Sequence, residues 1–315
     1  MTQAGPSPLG AWLCEQARAL GFDDVALVRA DRGTPGAEAL RRATGAGHFG
    51  PLDYLRASVE ERADVLARYP GARTVAVVVQ NYFTGHHEEH ASADELARGA
   101  RVSRYAWGRD YHKSMRRRLR KLRTGLLERA GPGASVWIFN DVDPVLERAW
   151  AEAAGLGFVG KSAVFIHRQL GTWTFLGGLI TTLDLGAPDP APPARFCGTC
   201  TACLDACPTG ALLEPGVLDA RRCLTTWNIE RPAASEGDAP ELVGHGWAAG
   251  CDVCQEVCPW NRFEKRTDEA RFQPLPGHVV LEPGRIPEDL PGTPLARPKR
   301  EGLEQSCERS LRRAR

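Results

Sequence analysis

The stretch from Cys197 to Trp260 constrains this chain more than any other. It opens as Cys197-Gly-Thr-Cys200-Thr-Ala-Cys203-Leu-Asp-Ala-Cys207-Pro208 and closes as Cys251-Asp-Val-Cys254-Gln-Glu-Val-Cys258-Pro259-Trp260. Three thiolates spaced two residues apart sit on one tight loop and can grip three corners of an iron–sulfur cubane. A fourth cysteine directly before proline points away from that loop and ligates a neighbouring cluster. The first run therefore implies a second cluster, the second run supplies it, and Cys223 between them is the missing ligand.

Counting ligands tests this reading. Two cubanes need four thiolates each, and Cys197, Cys200, Cys203, Cys207, Cys223, Cys251, Cys254 and Cys258 provide them. The spacing assigns Cys197, Cys200, Cys203 and Cys258 to cluster one and Cys207, Cys223, Cys251 and Cys254 to cluster two, a pseudo-symmetric arrangement of the bacterial ferredoxin kind. Zinc knuckles or disulfides are the competing readings. Zinc sites usually present two separated C-x-x-C pairs rather than this run. Cys14 and Cys307 are left as buried or idle thiols.

The chain has 315 residues and a hydrophobic fraction of 43%, enough for a real core and for two domains or one domain with an insert. A net charge of +1 argues neither for nor against a nucleic-acid partner, so any basic surface is local. No apolar run reaches the roughly 18 residues of a membrane span. Met1 to Leu13 lacks the features of a secretory signal and a twin-arginine pair. Thiolates used as cluster ligands favour a reducing compartment, and the cytoplasm is expected.

The remainder reads as mixed α/β. Helices are expected over 9–20, 37–44 and 60–68, with strands at 24–28 and 74–79. The β-branched run Thr74 to Val79 predicts a strand buried on both faces, with Gln80 to Phe83 at a strand end where ligands gather in open α/β sheets. His86, His87 and His90 fall in a polar segment better read as a solvated loop than as a metal site. Arg104-Tyr-Ala-Trp-Gly-Arg-Asp-Tyr-His112 suits a ligand-gripping turn. From Lys113 to Ala130, Leu119, Leu122, Leu126 and Leu127 mark one face of a helix. Arg116, Arg117, Arg118, Arg120, Lys121 and Arg123 mark the other, which either solvates the helix or tracks phosphates.

A strand at 135–139 leads to Asp141 at a strand-to-helix junction. Asp143, directly before Pro144, is the better-placed cap of a helix over 145–154, leaving Asp141 for chemistry. Gly155 to Lys161 lacks the spacing of a phosphate loop. Strands at 163–166 and 173–183 form a hairpin, Pro188 to Pro193 is a stiff linker, and the chain ends in a frayed basic tail of Arg309, Arg312, Arg313 and Arg315. The division expected is 1–187, a cluster domain at 188–264, and a C-terminal extension at 265–315 with no helical-repeat domain. The first part shows no dinucleotide fingerprint, yet it must hold an electron acceptor or another cofactor.

Several long motifs resemble epoxyqueuosine reductases. They are Tyr105-Ala-Trp-Gly-Arg-Asp-Tyr-His112-Lys113, Asp141-x-x-Pro144-Val-Leu-Glu-Arg148, Ala154-Gly-Leu-Gly-Phe-Val-Gly-Lys161, Thr174-Phe-Leu-Gly177, Asp219-Ala-Arg-Arg-Cys223 and Gly250-Cys-Asp-x-Cys-Gln-x-x-Cys-Pro-Trp-Asn261. The resemblance covers about residues 10–305. It implies an α/β (α+β) cobalamin-binding domain carrying a ferredoxin-like double 4Fe–4S domain. The implied activity reduces epoxyqueuosine to queuosine at the wobble position of tRNA, the last step of queuosine synthesis.

It further implies Asp141 as proton donor and Arg62, Arg104, Tyr105, Trp107, Asp141, Lys161, Phe165 and Leu176 as cobalamin contacts. Arg116, Arg117, Arg120, Arg297, Lys299 and Arg300 are the candidates for tRNA. An external low-potential electron donor and a monomeric enzyme are expected. Asp143 departs from the pattern, standing where the family more often has a small residue. The alternatives are a reductive dehalogenase-like corrinoid enzyme, which usually carries an export signal, and a non-catalytic electron carrier.

Overall fold

Thr74 to Asn81 forms a strand with every residue buried, as its unbroken apolar run requires. In the computed structural model, which describes residues 5–193, 195–231 and 243–312, this strand lies inside a four-stranded sheet. The order is β1 (Asp24–Arg29), β2 (Thr74–Asn81), β7 (Thr174–Thr181), β4 (Val136–Asn140). Every pairing is antiparallel: Asp24 faces Val79, Thr74 faces Thr181, and Val136 also faces Thr181. A short antiparallel pair, β5 (Gly157–Val159) and β6 (Phe165–His167), adjoins it in sequence.

Val75, Val77, Val79, Phe139 and Ile180 pack with Trp150, Ala151 and Ala153 of the helix Glu147–Ala153 into one apolar cluster. Each such aliphatic side chain contributes roughly 1.5–3 kcal/mol on burial. Gly178 is required by this packing, because a Cβ there would meet the Ala76 carbonyl oxygen at 2.0 Å and the Phe139 ring at 2.9 Å. The sheet belongs to a unit made of residues 1–47, 54–81 and 112–199.

The second unit comprises residues 48–53, 82–111 and 200–315. It cuts across the linear division expected from sequence, because β3 (Ala100–Val102) pairs in parallel with β10 (Trp247–Ala249) and antiparallel with β11 (Val280–Leu281). A small hairpin, β8 (Leu212–Glu214) and β9 (Val217–Leu218), completes its strands. Leu303 and Cys307 of the helix Lys299–Leu311 are buried with Val102, Trp107 and Leu281 in one core. Arg309 and the residues before it are therefore helical, not a frayed tail; Arg313 and Arg315 lie outside the described residues. The Cys307 thiol donates to the Leu281 carbonyl oxygen, a buried thiol as expected.

Two other expectations change. The helix over 60–68 breaks at Asp64, which turns extended and caps the second piece by accepting the Leu66 and Ala67 N–H groups. The 85–100 segment is not a solvated loop but contains the helices His87–His90 and Ala93–Arg98. His87 is fully buried, edge-on to Trp107 and Trp247, with Nε2 against the Val102 carbonyl at 2.9 Å. Burial first, and the nearby Arg104 charge second, lower its pKa to about 3, so it is a neutral structural residue.

Candidate active site and cluster loops

The antiparallel sheet withdraws the parallel-sheet rule that places ligands at strand ends, yet its register delivers the same residues to one edge. β2 runs upward to Gln80 and Asn81, β4 runs the same way to Asn140, and β7 begins at Thr174 opposite Asn81. Gln80, Asn81, Thr174, Asn140 and, in the following turn, Asp141 therefore gather at one end of the first unit's sheet. Three buried polar atoms there have no hydrogen-bond partner among the described residues: Gln80 Oε1, Thr174 Oγ1 and Asn140 Nδ2. Buried polar atoms of this kind are costly unless a bound group satisfies them. By register Gln80 and Asn140 lie on one face of the sheet, offering an acceptor and a donor, while Thr174 lies on the other face with Val79 and Phe139.

Asp141 itself is half-exposed, and its Oδ1 lies 2.7 Å from His112 Nε2. His112 stands in the first turn of the helix Tyr111–Ala130. The sequence alone gives His112 no role, because nothing in the spacing shows that this helix start faces the 140–143 turn. Asp143 does not cap the following helix, which starts at Glu147 with Leu146 before it. It instead accepts from Arg116 Nη1 at 2.7 Å and from the Asn140 N–H at 3.0 Å. Asp143 is thus a partner of Arg116 rather than the cap expected of it.

Close by, burial pushes Glu147 up to about 7. Its own N–H and the Arg148 charge oppose the rise, while the Asp141 charge adds to it and Arg62 opposes it. Arg62 donates to Ser58 Oγ at 2.9 Å and to the Val145 carbonyl at 3.3 Å. Of the other candidates in this unit, Lys161 Nζ donates to the Gly198 carbonyl at 2.7 Å, Phe165 is buried in the core, and Leu176 is half-buried against it. Along the helix, Arg118 is buried, donating to the Gly21 carbonyl and stacking over Phe22. Arg123 donates to the Val136 carbonyl, whereas Arg117 and Arg120 are exposed. The six cations expected on one polar face thus divide between structural and exposed positions.

In the second unit, Arg104 and Trp107 are buried. Arg104 Nη1 bonds Asp252 Oδ2 at 3.0 Å and Glu256 Oε1 at 2.7 Å, and Trp107 Nε1 donates to the Val102 carbonyl at 2.8 Å. Burial works against the Arg104 charge, but the two carboxylates outweigh it and hold the guanidinium ionised. Asp252 lies between Cys251 and Cys254, and also accepts from the Arg104 N–H at 2.9 Å and from the Ser103 hydroxyl. The second cysteine loop is thereby tied to the 103–104 backbone. Tyr105 is half-buried, with its ring edge-on to Tyr111. Arg297 pairs with Glu230, Arg300 donates to the Ile286 and Pro287 carbonyls, and Lys299 is exposed.

Cys254 feels the charge of Cys203, Cys207 and Cys223, and Cys251 that of Cys223 and Cys254. Sulfurs from both loops and from Cys223 therefore lie within electrostatic reach of one another, Cys203 of the first loop included. Burial pushes the thiols of Cys251, Cys254 and Cys223 up, and crowding by the other sulfurs adds to it. Buried thiols of this kind become thiolates when iron supplies the compensating charge. At Cys207 burial also raises the pKa, but the Leu212, Thr209 and Ala211 N–H groups and the Thr209 hydroxyl outweigh it, and the net shift is downward. Such N–H bonds to sulfur tune cluster potentials.

Among the described residues no three His, Cys, Asp or Glu side chains converge on one metal ion. No helix of the described residues is long and apolar enough to cross a membrane.

Fold and cysteine loops together define an iron–sulfur protein with a separate α/β unit bearing a carboxylate–imidazole pair. Residues 196–261 match the family described as "4Fe-4S double cluster binding domain", and residues 62–142 match "Epoxyqueuosine reductase QueG, DUF1730". The epoxyqueuosine reductase of Gloeobacter violaceus is 42% identical over 273 residues, covering 85% of this chain and 82% of that one. That of Pseudomonas aeruginosa is 40% identical over 271 residues, covering 85% and 73%.

The chain belongs to the epoxyqueuosine reductase family, a family of oxidoreductases. Its fold is shared with a crystal structure of an epoxyqueuosine reductase bound to an epoxyqueuosine-modified tRNA-Tyr stem loop (TM-score 0.80, 23% identity, 96% of this chain and 80% of that one). It is shared also with the Bacillus subtilis enzyme, described with its catalytic aspartate loop swung out of the active site (TM-score 0.77, 23% identity, 96% and 81%).

Proposed function

We propose that this chain reduces epoxyqueuosine to queuosine in tRNA, with Asp141 as the proton donor. The observation that carries the reading is the placement of the Asp141–His112 pair at the polar sheet edge of a chain that is 42% identical to a curated epoxyqueuosine reductase. The reaction takes two electrons and two protons: both carbon–oxygen bonds of the epoxide break, a carbon–carbon double bond forms, and the oxygen leaves as water. Asp141, half-exposed at the tip of its turn, delivers a proton to the departing oxygen. His112 Nε2, bonded to the same carboxylate, orients it and returns a proton from solvent.

Cobalamin, when bound, supplies the low-potential centre that meets the epoxide. Gln80 Oε1 and Asn140 Nδ2, unsatisfied on one face of the sheet, would serve its amide groups. Arg62, Asp141, Lys161, Phe165 and Leu176 are the proposed contacts in the first unit. Arg104 and Trp107, buried in the second unit, act there as structural residues. Cys197, Cys200, Cys203 and Cys258 would hold one 4Fe–4S cluster and Cys207, Cys223, Cys251 and Cys254 the other; the pair would supply single-electron transfer from an external low-potential donor. Arg117 and Arg120 are the exposed candidates for tRNA phosphates, while Arg116, Arg297 and Arg300 are held by protein groups. A monomer working in the cytoplasm completes the reading.

Anaerobic purification with iron and cobalt counted tests the cofactors. Iron without corrinoid binding would leave an electron carrier. Full cofactors with halide removal but no action on tRNA would favour the dehalogenase-like alternative.

A further inference from the structure

We infer that Arg116 and Asp143 form a latch that fixes the turn carrying Asp141, so that both are positioning residues for proton transfer; the inference rests on the role given to Asp141 above. The turn from Asn140 to Asp143 is closed twice. The Asp143 N–H donates to the Asn140 carbonyl at 2.9 Å, and the Asn140 N–H donates to Asp143 Oδ2 at 3.0 Å. Arg116 Nη1 then pins both ends, donating to Asn140 Oδ1 at 3.0 Å and to Asp143 Oδ2 at 2.7 Å.

Between these ends the tip reaches solvent. Asp141 is 46% exposed, and Val142, though apolar, is 59% exposed. The bonds that fix the ends of the turn therefore bear on where Asp141 lies, beside its contact with His112. Arg116 lies one helical turn beyond His112, so the two side chains leave the same helix face toward the same turn. The helix is itself anchored by the fully buried Met115 and Leu119, a rigid support of the kind an active residue needs. Arg116 and Asp143 are 27% and 23% exposed. A charge-assisted bond so sheltered is stronger than a surface pair.

The latch makes a prediction that a phosphate-binding Arg116 does not. In Asp143→Ala and in Arg116→Ala, amide hydrogen exchange over residues 138–146 should speed up by about 10-fold through local opening. The kcat should fall roughly 10- to 100-fold as the acid loses its position, with KM for tRNA and its salt dependence nearly unchanged. The double variant should be hardly worse than either single one, because both break one interaction. Asp143→Asn, which keeps an acceptor for the Asn140 N–H, should lie between wild type and Asp143→Ala.

Unchanged exchange in Asp143→Ala overturns the latch. So does an Arg116→Ala variant whose KM rises and whose salt slope flattens while kcat holds. Asp141→Asn, run alongside, separates the two readings: if that variant turns over normally, the role of Asp141 fails, whereas the exchange result judges the latch on its own.

Discussion

Asp141 and Asp252 are both aspartates bonded to a nitrogen base or cation, and they sit in opposite surroundings. Asp252 is fully buried and receives the Arg104 guanidinium, the Arg104 N–H and the Ser103 hydroxyl. Asp141 is half-exposed and bonded to His112. A buried, fully bonded carboxylate fixes a backbone and cannot reach a substrate, whereas an exposed carboxylate–imidazole pair stabilises little but can exchange protons with what enters. The first serves the cluster loop, and the second serves chemistry.

The strongest way to break this contrast is Asp252→Ala. Removing Asp252 leaves Arg104 bonded to the Glu256 carboxylate and strips the buried Arg104 N–H and Ser103 hydroxyl of this acceptor, at a cost of about 3 kcal/mol. Thermal denaturation should register that loss, together with depleted iron. Full iron and an unchanged melting temperature would show that the loop does not depend on this tie. Next in size, Asp141→Asn should lower turnover by about 100-fold or more while melting temperature and iron content hold. A comparable loss of stability would place Asp141 with Asp252 as a structural residue.

Glu147 sharpens the comparison through pH. Burial raises its pKa to about 7, from an ordinary carboxylate value of 4.5. Between these values the folded state keeps a proton that the unfolded state releases. Stability from this group is therefore full below about pH 4.5 and is lost as pH rises through 7. Glu147→Gln should be more stable than wild type by about 1–2 kcal/mol at pH 8, and equal to it near pH 4. Denaturant titrations at the two pH values check this, and a pH-independent difference would contradict it. The smallest expected effect is at Arg120→Glu, which should weaken tRNA binding and reduce its salt slope by about one per lost phosphate contact. An unchanged slope would leave Arg120 as a solvating charge.

Local chemistry in the sequence was legible where it is dense. Cysteine spacing announced the cluster loops, and the run from Thr74 announced a buried strand. What stayed hidden depends on long-range pairing. β3 is only three residues long, yet it draws 82–111 into the cysteine-bearing unit, and no periodicity marks so short a strand. Sheet direction was also hidden: β-branched runs signal burial, not whether neighbours run parallel. The meeting of His112 and Arg116 with the 140–143 turn joins residues nearly thirty positions apart in sequence, so Asp143 looked like a cap rather than a partner of Arg116.

The most direct test is nucleoside analysis of epoxyqueuosine-bearing tRNA after anaerobic incubation with the protein, loaded with iron–sulfur clusters and cobalamin and given a low-potential reductant. The account predicts that the epoxide nucleoside disappears and queuosine appears in equal amount, with almost none formed by Asp141→Asn at the same cofactor content. Intact epoxyqueuosine after incubation with fully loaded wild-type protein would contradict it.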